Sequence, residues 1–431
     1  MKSVFAELFK KNFVRHHVII TKKSKMSSDS RGCRLLSDLN SSFRKDPEID
    51  EYDFLPVLEP KHNRSPLVLQ DHKLGLEMWS VKILHQYAYH TVMTWRMKEA
   101  NAKFLSPADL ISLTRAIVLV NPDCSTAWNV RKELVESGDL LISDDLKLGM
   151  LVLGKHPKSP ETFSHRKWLF QTLIDSCLTN SSGSTISNSS VCNNFVNMDA
   201  IDINLDPNVQ NGYNVDHAGS ASNQPEFKEH AFRELRICQK ASEKYPSNYN
   251  SWSHRIWVLK QCFNCSIQVL FGELHTTENW ISKHISDHSG FHYRQFLLTS
   301  LQKQSAELKE QFSVCYKNLI QKELNMIIDL IKRFAAHEAL WYHRRFIFQN
   351  ICQSYSAGTL VEHQPQDCFE DDIVLNNSQK KTKLENERQV LLLKEIDTVS
   401  KTDLTCKDKY HRNLAQKYID WIQKFSRSLE S

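Results

Sequence analysis

The sequence predicts an all-α fold, an α-α superhelix built as a right-handed solenoid of helical hairpins. Three observations lead there. An aromatic residue is followed three places later by arginine in five segments of the chain, and glycine and proline are scarce at 11 and 12 of 431 residues. Hydrophobic content of 41% is ample for a large core, and no apolar run approaches the roughly 18–20 residues of a membrane span. A net charge of +5 with 24% charged residues does not demand a nucleic-acid partner. Eleven scattered cysteines do not form a disulfide framework, so a reducing compartment with free, mostly buried thiols is expected.

The amino-terminal stretch carries Lys2, Lys10, Lys11, Arg15, Lys22, Lys23 and Lys25 against a single acid, Glu7. Residues 1–29 therefore read as a disordered or presequence-like extension, with Met26 as an alternative start. A cytoplasmic protein is expected, with mitochondrial import as the minor alternative. From 30 to 431 the chain reads as one superhelical domain with repeats at about 107–350.

The repeat pairs are Trp128 with Arg131, Phe163 with Arg166, Trp252 with Arg255, Phe291 with Arg294, and Trp341 with Arg344. Pro122, Pro157 and Pro246 lie six residues before the first three aromatics, while Trp168, Trp257, Phe296 and Phe346 follow the last four arginines by two. The aromatics recur 35, 89, 39 and 50 residues apart. The interval of 89 holds an Asn/Ser-rich stretch at about 176–225; its removal leaves roughly 40, near the period of two-helix solenoid units. That stretch, and a second polar one at about 353–383 with Glu370, Asp371 and Asp372, read as disordered insertions.

Each copy reads as a helix start. Proline ends the preceding helix, and Ser125, Ser159 or Asn248 can cap the next. Aromatic and arginine at i and i+3 share one helical face. The ring is expected to anchor the core between hairpins, and the guanidinium to reach the carbonyl end of an adjacent helix. Companion helices are expected at Ala108–Val120, with Leu110, Leu113 and Ile117 on one face, at Glu226–Lys244, and at 408–427 with Leu414, Tyr418, Trp421, Ile422 and Phe425. All ten repeat residues thus read first as scaffold.

Pro246-Ser-Asn-Tyr-Asn-Ser-Trp-Ser-His-Arg255 resembles the repeat of the protein prenyltransferase alpha-subunit family. Asn63-Arg-Ser-Pro-Leu-Val-Leu69 and Asp287-His-Ser-Gly-Phe-His-Tyr-Arg-Gln-Phe296 resemble its repeat-containing branch. The resemblance implies the non-zinc subunit of a heterodimer, active only with a beta subunit that carries the zinc and most of the isoprenoid pocket. It implies roles beside the diphosphate for Lys158, in Pro157-Lys158-Ser159, and for Tyr249, in Asn248-Tyr249. An ammonium there stabilises charge that grows on the leaving group. The second repeat departs from the farnesyltransferase pattern, with Pro160 and Glu161 where that enzyme has tyrosine and glutamine. Glu161 would repel a terminal carboxylate, so the resemblance points to the third type of geranylgeranyltransferase. Its implied partners are a beta subunit of the Rab geranylgeranyltransferase kind, geranylgeranyl diphosphate, and a protein substrate with a reactive cysteine. The rival reading is a non-catalytic helical scaffold that binds other proteins.

No metal or cofactor site is expected in this chain. Cys262 and Cys265 have ligand spacing without a second pair, and the helix carrying His284, His288 and His292 is broken near Ser289-Gly290. The Asp-Asp pairs at 144–145 and 371–372 are not a DDxxD magnesium motif, and no Gly-rich phosphate loop is present.

Overall fold

The computed structural model describes residues 22–60, 64–98, 104–180, 224–307, 310–356 and 377–430. Asn63, residues 1–21 and most of the two polar insertions lie outside the described residues. Where one domain over 30–431 was expected, the chain divides into two compact units, Met1–Ser181 and Ser182–Ser431, with the division inside the Asn/Ser-rich stretch. The expected insertions are also shorter at their edges, because Asn180, Gln224, Ser356 and Asn377 are all helical.

The first unit begins with α1 (Lys22–Lys45), then β1 (Glu51–Leu55), β2 (Leu67–Gln70), β3 (Lys73–Glu77) and α2 (Met78–Arg96). Two hairpins follow: α3 (Pro107–Val120) with α4 (Ser125–Glu136), and α5 (Ile142–Lys155) with α6 (Pro160–Asn180). The small sheet has order β1-β3-β2, parallel between β1 and β3 and antiparallel between β2 and β3. Sequence reading did not anticipate it. Its hairpin turn is Asp71-His72, both at positive φ (46° and 62°), the geometry usually announced by Asn-Gly. Asp and His tolerate that region better than most residues, so the turn forms without its usual signal.

The sheet joins the helical part through Leu74 and Leu76 in the shared core, through Asp53 paired with Lys155 of α5, and through one buried hydrogen bond. Tyr52, buried on β1, donates its hydroxyl to the Leu119 carbonyl at 2.7 Å. Leu119 lies in the last turn of α3, where carbonyls have no intrahelical partner. His156 Nε2 approaches the same oxygen at 3.2 Å. Tyr52→Phe is therefore expected to lower stability by about 1 kcal/mol, read as a lower urea midpoint at unchanged slope; an unchanged midpoint would show that His156 suffices. At the other end of α3, Ser106 and Asp109 form a capping box ahead of Pro107. Gly32 lets α1 approach α2, since a Cβ there would sit 2.3 Å from Tyr87 Cβ.

The second unit comprises four hairpins: α7 (Gln224–Lys244) with α8 (Tyr249–Cys262), α9 (Ile267–Lys283) with α10 (His288–Glu307), α11 (Glu310–Arg333) with α12 (Glu338–Ser356), and α13 (Asn377–Thr402) with α14 (Lys409–Glu430). The chain is thus an all-α helical-repeat protein with a minor sheet. The five repeat aromatics are buried: Trp128 at 1%, Phe163 at 3%, Trp252 at 3%, Phe291 at 2% and Trp341 at 2% exposure. All five are core, as read from sequence.

The arginines do something other than expected. Four of the five buried guanidinium groups do reach a backbone carbonyl, but inside the companion helix and twenty residues upstream, not at a helix end. Arg131, Arg166, Arg255 and Arg294 donate from Nη1 to the carbonyls of Ile111, Leu146, Leu235 and Leu274. Gly149 makes room for this, because a Cβ there would lie 2.9 Å from Arg166 Nη1.

The larger interaction is with a buried carboxylate of the next hairpin, which also accepts from that hairpin's own histidine or tyrosine. Asp145 accepts from Arg131 Nε and from His165 Nε2, both at 2.6 Å. Glu273 accepts from Arg255 Nε at 2.5 Å and from the Tyr293 hydroxyl. Glu323 accepts from Arg294 Nε at 2.8 Å and Nη2 at 2.5 Å, and from His343 Nε2 at 2.8 Å. Glu395 accepts from Arg344 Nε at 2.9 Å and from the Tyr418 hydroxyl at 2.8 Å. One charged triad thus bolts each pair of neighbouring hairpins described within a unit.

The ends of the ladder follow from this logic. The first hairpin has Leu110 and Val130 where later ones have the acid and the histidine or tyrosine. After Tyr418 comes buried Ile419 in place of arginine, so the α13–α14 hairpin lacks the guanidinium that the earlier hairpins carry at this position.

Candidate functional site

The turns that join the two helices of each hairpin are linked as well. Ser159 Oγ donates to the Asp123 carboxylate at 2.7 Å and, as a cap of α6, accepts from the Thr162 amide at 3.1 Å. The Ser247 amide donates to Asp287 at 3.0 Å, and Asp287 caps α10 by accepting from the Ser289 and Gly290 amides. Ser286 Oγ lies 2.7 Å from His337 Nδ1, and the Ala336 amide donates to His411 Nδ1 at 3.3 Å. Within each unit the turns therefore run side by side along one edge.

The capping expectation held at two of three positions. Asn248 accepts from the Ser251 amide, and Ser159 caps α6. Ser125 is instead the first residue of α4, preceded by Cys124, which makes no side-chain cap. Asp287 was the cap that sequence reading missed, although an Asp directly before a helix start is among the preferred caps.

Both candidate reactive residues sit on these turn edges, in different units. Lys158 is exposed, on the α5–α6 turn, next to the anchored Ser159. Tyr249 is 68% exposed at the first position of α8, next to the capping Asn248. In both, an exposed chemical group is adjacent to a buried residue that fixes the backbone. Pro160 is exposed and Glu161 half-buried in the first turn of α6.

The turn edge of the second unit also displays aromatic rings. Tyr245, Tyr249, Phe334, Tyr342 and Tyr410 are all more than a third exposed, and each lies within five residues of a turn. Exposed tyrosines and phenylalanines are the residue types that anchor protein interfaces.

Other constellations have structural explanations. Burial pushes the Cys262 thiol up to about 12 and raises that of Cys265 as well, so neither is poised as a thiolate ligand. His284 lies in the turn before α10, its ring stacked 3.9 Å from Trp280 and its Nδ1 2.9 Å from the Trp280 carbonyl oxygen, while His288 meets Tyr342 edge-on. Among the described residues no group of three or more His, Cys, Asp or Glu side chains is placed to hold a metal. No helix among them is long and apolar enough to cross a membrane. Asp145, dismissed with Asp144 as a magnesium motif, is the fully buried carboxylate of the first triad. A sequence signal for it existed: an acid followed by leucine stands twenty residues ahead of His165-Arg166, His254-Arg255, Tyr293-Arg294 and His343-Arg344.

Comparison with known proteins follows the same register. The family model of the protein prenyltransferase alpha subunit repeat matches residues 232–262, 270–301 and 320–351, which span the hairpins from α7 to α12. A protein prenyltransferase alpha subunit repeat-containing protein 1 from Danio rerio is 36% identical over 337 residues, covering 73% of this chain and 71% of the relative. The protein of the same description from Homo sapiens is 33% identical over 418 residues, covering 90% and 96%. More distantly, the geranylgeranyl transferase type-2 subunit alpha of Rattus norvegicus is 22% identical over 247 residues, covering 55% of this chain and 33% of that protein.

Proposed function

Since the chain belongs to the family of protein prenyltransferase alpha subunit repeat-containing proteins, we propose that it is the zinc-free subunit of a heterodimeric protein geranylgeranyltransferase. Its partner would be a beta subunit of the Rab geranylgeranyltransferase kind, and its substrates geranylgeranyl diphosphate and a protein presenting a reactive cysteine. The distant similarity to a geranylgeranyl transferase type-2 subunit alpha supports the isoprenoid assignment. The exposed rings along the turn edge of the second unit support a large protein partner.

The observation that carries the reading is the setting of Lys158: an exposed lysine on a turn made rigid by the Ser159–Asp123 hydrogen bond. In the reaction, the substrate sulfur forms a bond to C1 of the isoprenoid as the C1–O bond to diphosphate breaks, and the electron pair leaves with the diphosphate. A zinc ion in the partner subunit would hold that sulfur as a thiolate. Lys158 Nζ would meet the negative charge that grows on the departing diphosphate. Anchoring of the backbone at Ser159 limits the reorganisation needed to bring the neighbouring lysine to that charge. Tyr249, on the other unit, is proposed by its own exposure as a hydroxyl donor to a phosphate oxygen.

The test is reconstitution. The full chain co-expressed with a Rab-type beta subunit is expected to form a stable complex that transfers labelled geranylgeranyl to protein, whereas the chain alone transfers none. Lys158→Ala should reduce turnover about tenfold or more while the heterodimer still assembles. Turnover equal to wild type would remove the lysine from the mechanism. Failure to bind any prenyltransferase beta subunit would leave the scaffold reading standing.

A further inference from the structure

A cleft of about 310 Å³ opens between the start of α12 and the middle of α14. Its walls include Tyr342, Arg345, Leu414, Lys417, Trp421 and Lys424. Arg345 is immobilised: its guanidinium lies over the rings of Tyr342 and Trp421 at 5.2 and 5.8 Å, and Nη2 donates to the Lys417 carbonyl at 3.1 Å. The neighbouring Arg344 has a buried glutamate as partner; Arg345 has no carboxylate partner among the described residues. Lys417 and Lys424 likewise form no ion pair among them. Two acids also line the cleft. Asp420 is engaged by Gln416 Nε2 at 2.9 Å, and Glu338 lies in the first turn of α12, where the helix dipole offsets its charge.

The geometry points to a short extended acidic peptide of a partner protein as the occupant of this cleft. Lys417 and Lys424 stand two helical turns apart on α14, about 10 Å along its axis. A peptide in polyproline-II conformation returns to the same side every third residue, after about 9 Å. Acids spaced i and i+3 would therefore face both lysines. An apolar residue between them can lie against Leu414 and the edge of Trp421, with Arg345 as a fixed third cation. This use of the terminal hairpin does not depend on the prenyltransferase reading; it would equally serve a scaffold.

The experiment uses the full chain and a fluorescein-labelled peptide containing Glu-Leu-Pro-Glu, compared by fluorescence polarisation with its Gln-Leu-Pro-Gln counterpart. At physiological salt the glutamate peptide is expected to bind about tenfold more tightly or better, with the gap narrowing as salt is raised. The Lys417→Glu/Lys424→Glu variant, altered only at exposed positions, should melt as wild type does, lose the glutamate peptide and gain affinity for Lys-Leu-Pro-Lys. Equal binding of the first two peptides, binding of neither, or a glutamate preference that survives the charge reversal would overturn the proposal. So would a lysine-dependent preference for phosphatidylserine vesicles over the peptide, which would assign the cleft to a lipid surface.

Discussion

Glu323→Ala is expected to destabilise the protein by about 3–5 kcal/mol, because it strands the buried charge of Arg294 without a counterion. Arg294 is 1% exposed and has two hydrogen bonds to Glu323. Its remaining acceptors, the Leu274 carbonyl and Thr277 hydroxyl, are dipoles and cannot neutralise a full charge in a medium of low dielectric. His343 would lose its carboxylate partner as well. The informative control replaces the triad as a unit, with Arg294→Met, Glu323→Leu and His343→Phe. Apolar residues of similar volume commonly substitute for a buried ionic triad at little net loss, so this variant should recover most of the stability lost in the single one. Urea unfolding monitored by circular dichroism measures both. A Glu323→Ala midpoint within error of wild type would show that Arg294 finds water or another acid, and the bolt would not hold the stack.

Acid is expected to unfold the protein through the same groups, in two stages. Burial alone would raise the Glu323 carboxyl, but the Arg294 charge and the hydrogen bonds from Arg294 and His343 outweigh it and bring it to about 2, below its ordinary 4.5. A depressed carboxyl contributes stability that is complete above the unfolded value and lost as pH falls toward the folded one. The loss thus lies between pH 4.5 and about 2 and amounts to about 3 kcal/mol for this group. Asp145 is lowered in the same sense, its burial outweighed by Arg131 and His165.

The histidines act earlier. Burial lowers His165 and His343 below 6.5 despite their carboxylate partners, so the unfolded chain takes up their protons first and stability begins to fall below pH 6.5. His165 fits the neutral form: Nε2 donates to Asp145, while buried Nδ1 has no partner and would be a stranded donor if protonated. The exposed His72, raised by its hydrogen bond to Asp46, works in the opposite sense. Its contribution is present below 6.5 and lost as pH rises through its folded value, and solvent screens it. Urea midpoints from pH 8 to 3 should decline gently below 6.5 and steeply below 4.5, and the triple apolar variant should decline less. A midpoint flat down to pH 3 would contradict the coupling.

Much of the architecture was legible because stacking needs the same residues at each step. Trp128, Phe163, Trp252, Phe291 and Trp341 must each fill a gap between hairpins, so the same large ring recurs in register and can be seen in one sequence. The α7 and α14 boundaries came within a few residues of their expected places for the same reason of period. The sheet was not legible, because four- and five-residue strands carry too few alternations and its turn lacks glycine. Lys158 and Tyr249 were nameable only by family likeness, since an exposed lysine or tyrosine on a turn has no periodicity that separates it from an ordinary surface residue.

Local spacing, then, determined the helical hairpins, their number in the repeat region and the buried ring of each, because those depend on contacts a few residues apart. What only the tertiary structure decided is which group meets each arginine. A guanidinium and a carboxylate separated by 14, 18, 29 or 51 residues are brought to hydrogen-bond distance by packing alone. No helical period encodes those intervals; the loops between set them, while burial demands that every charge be answered.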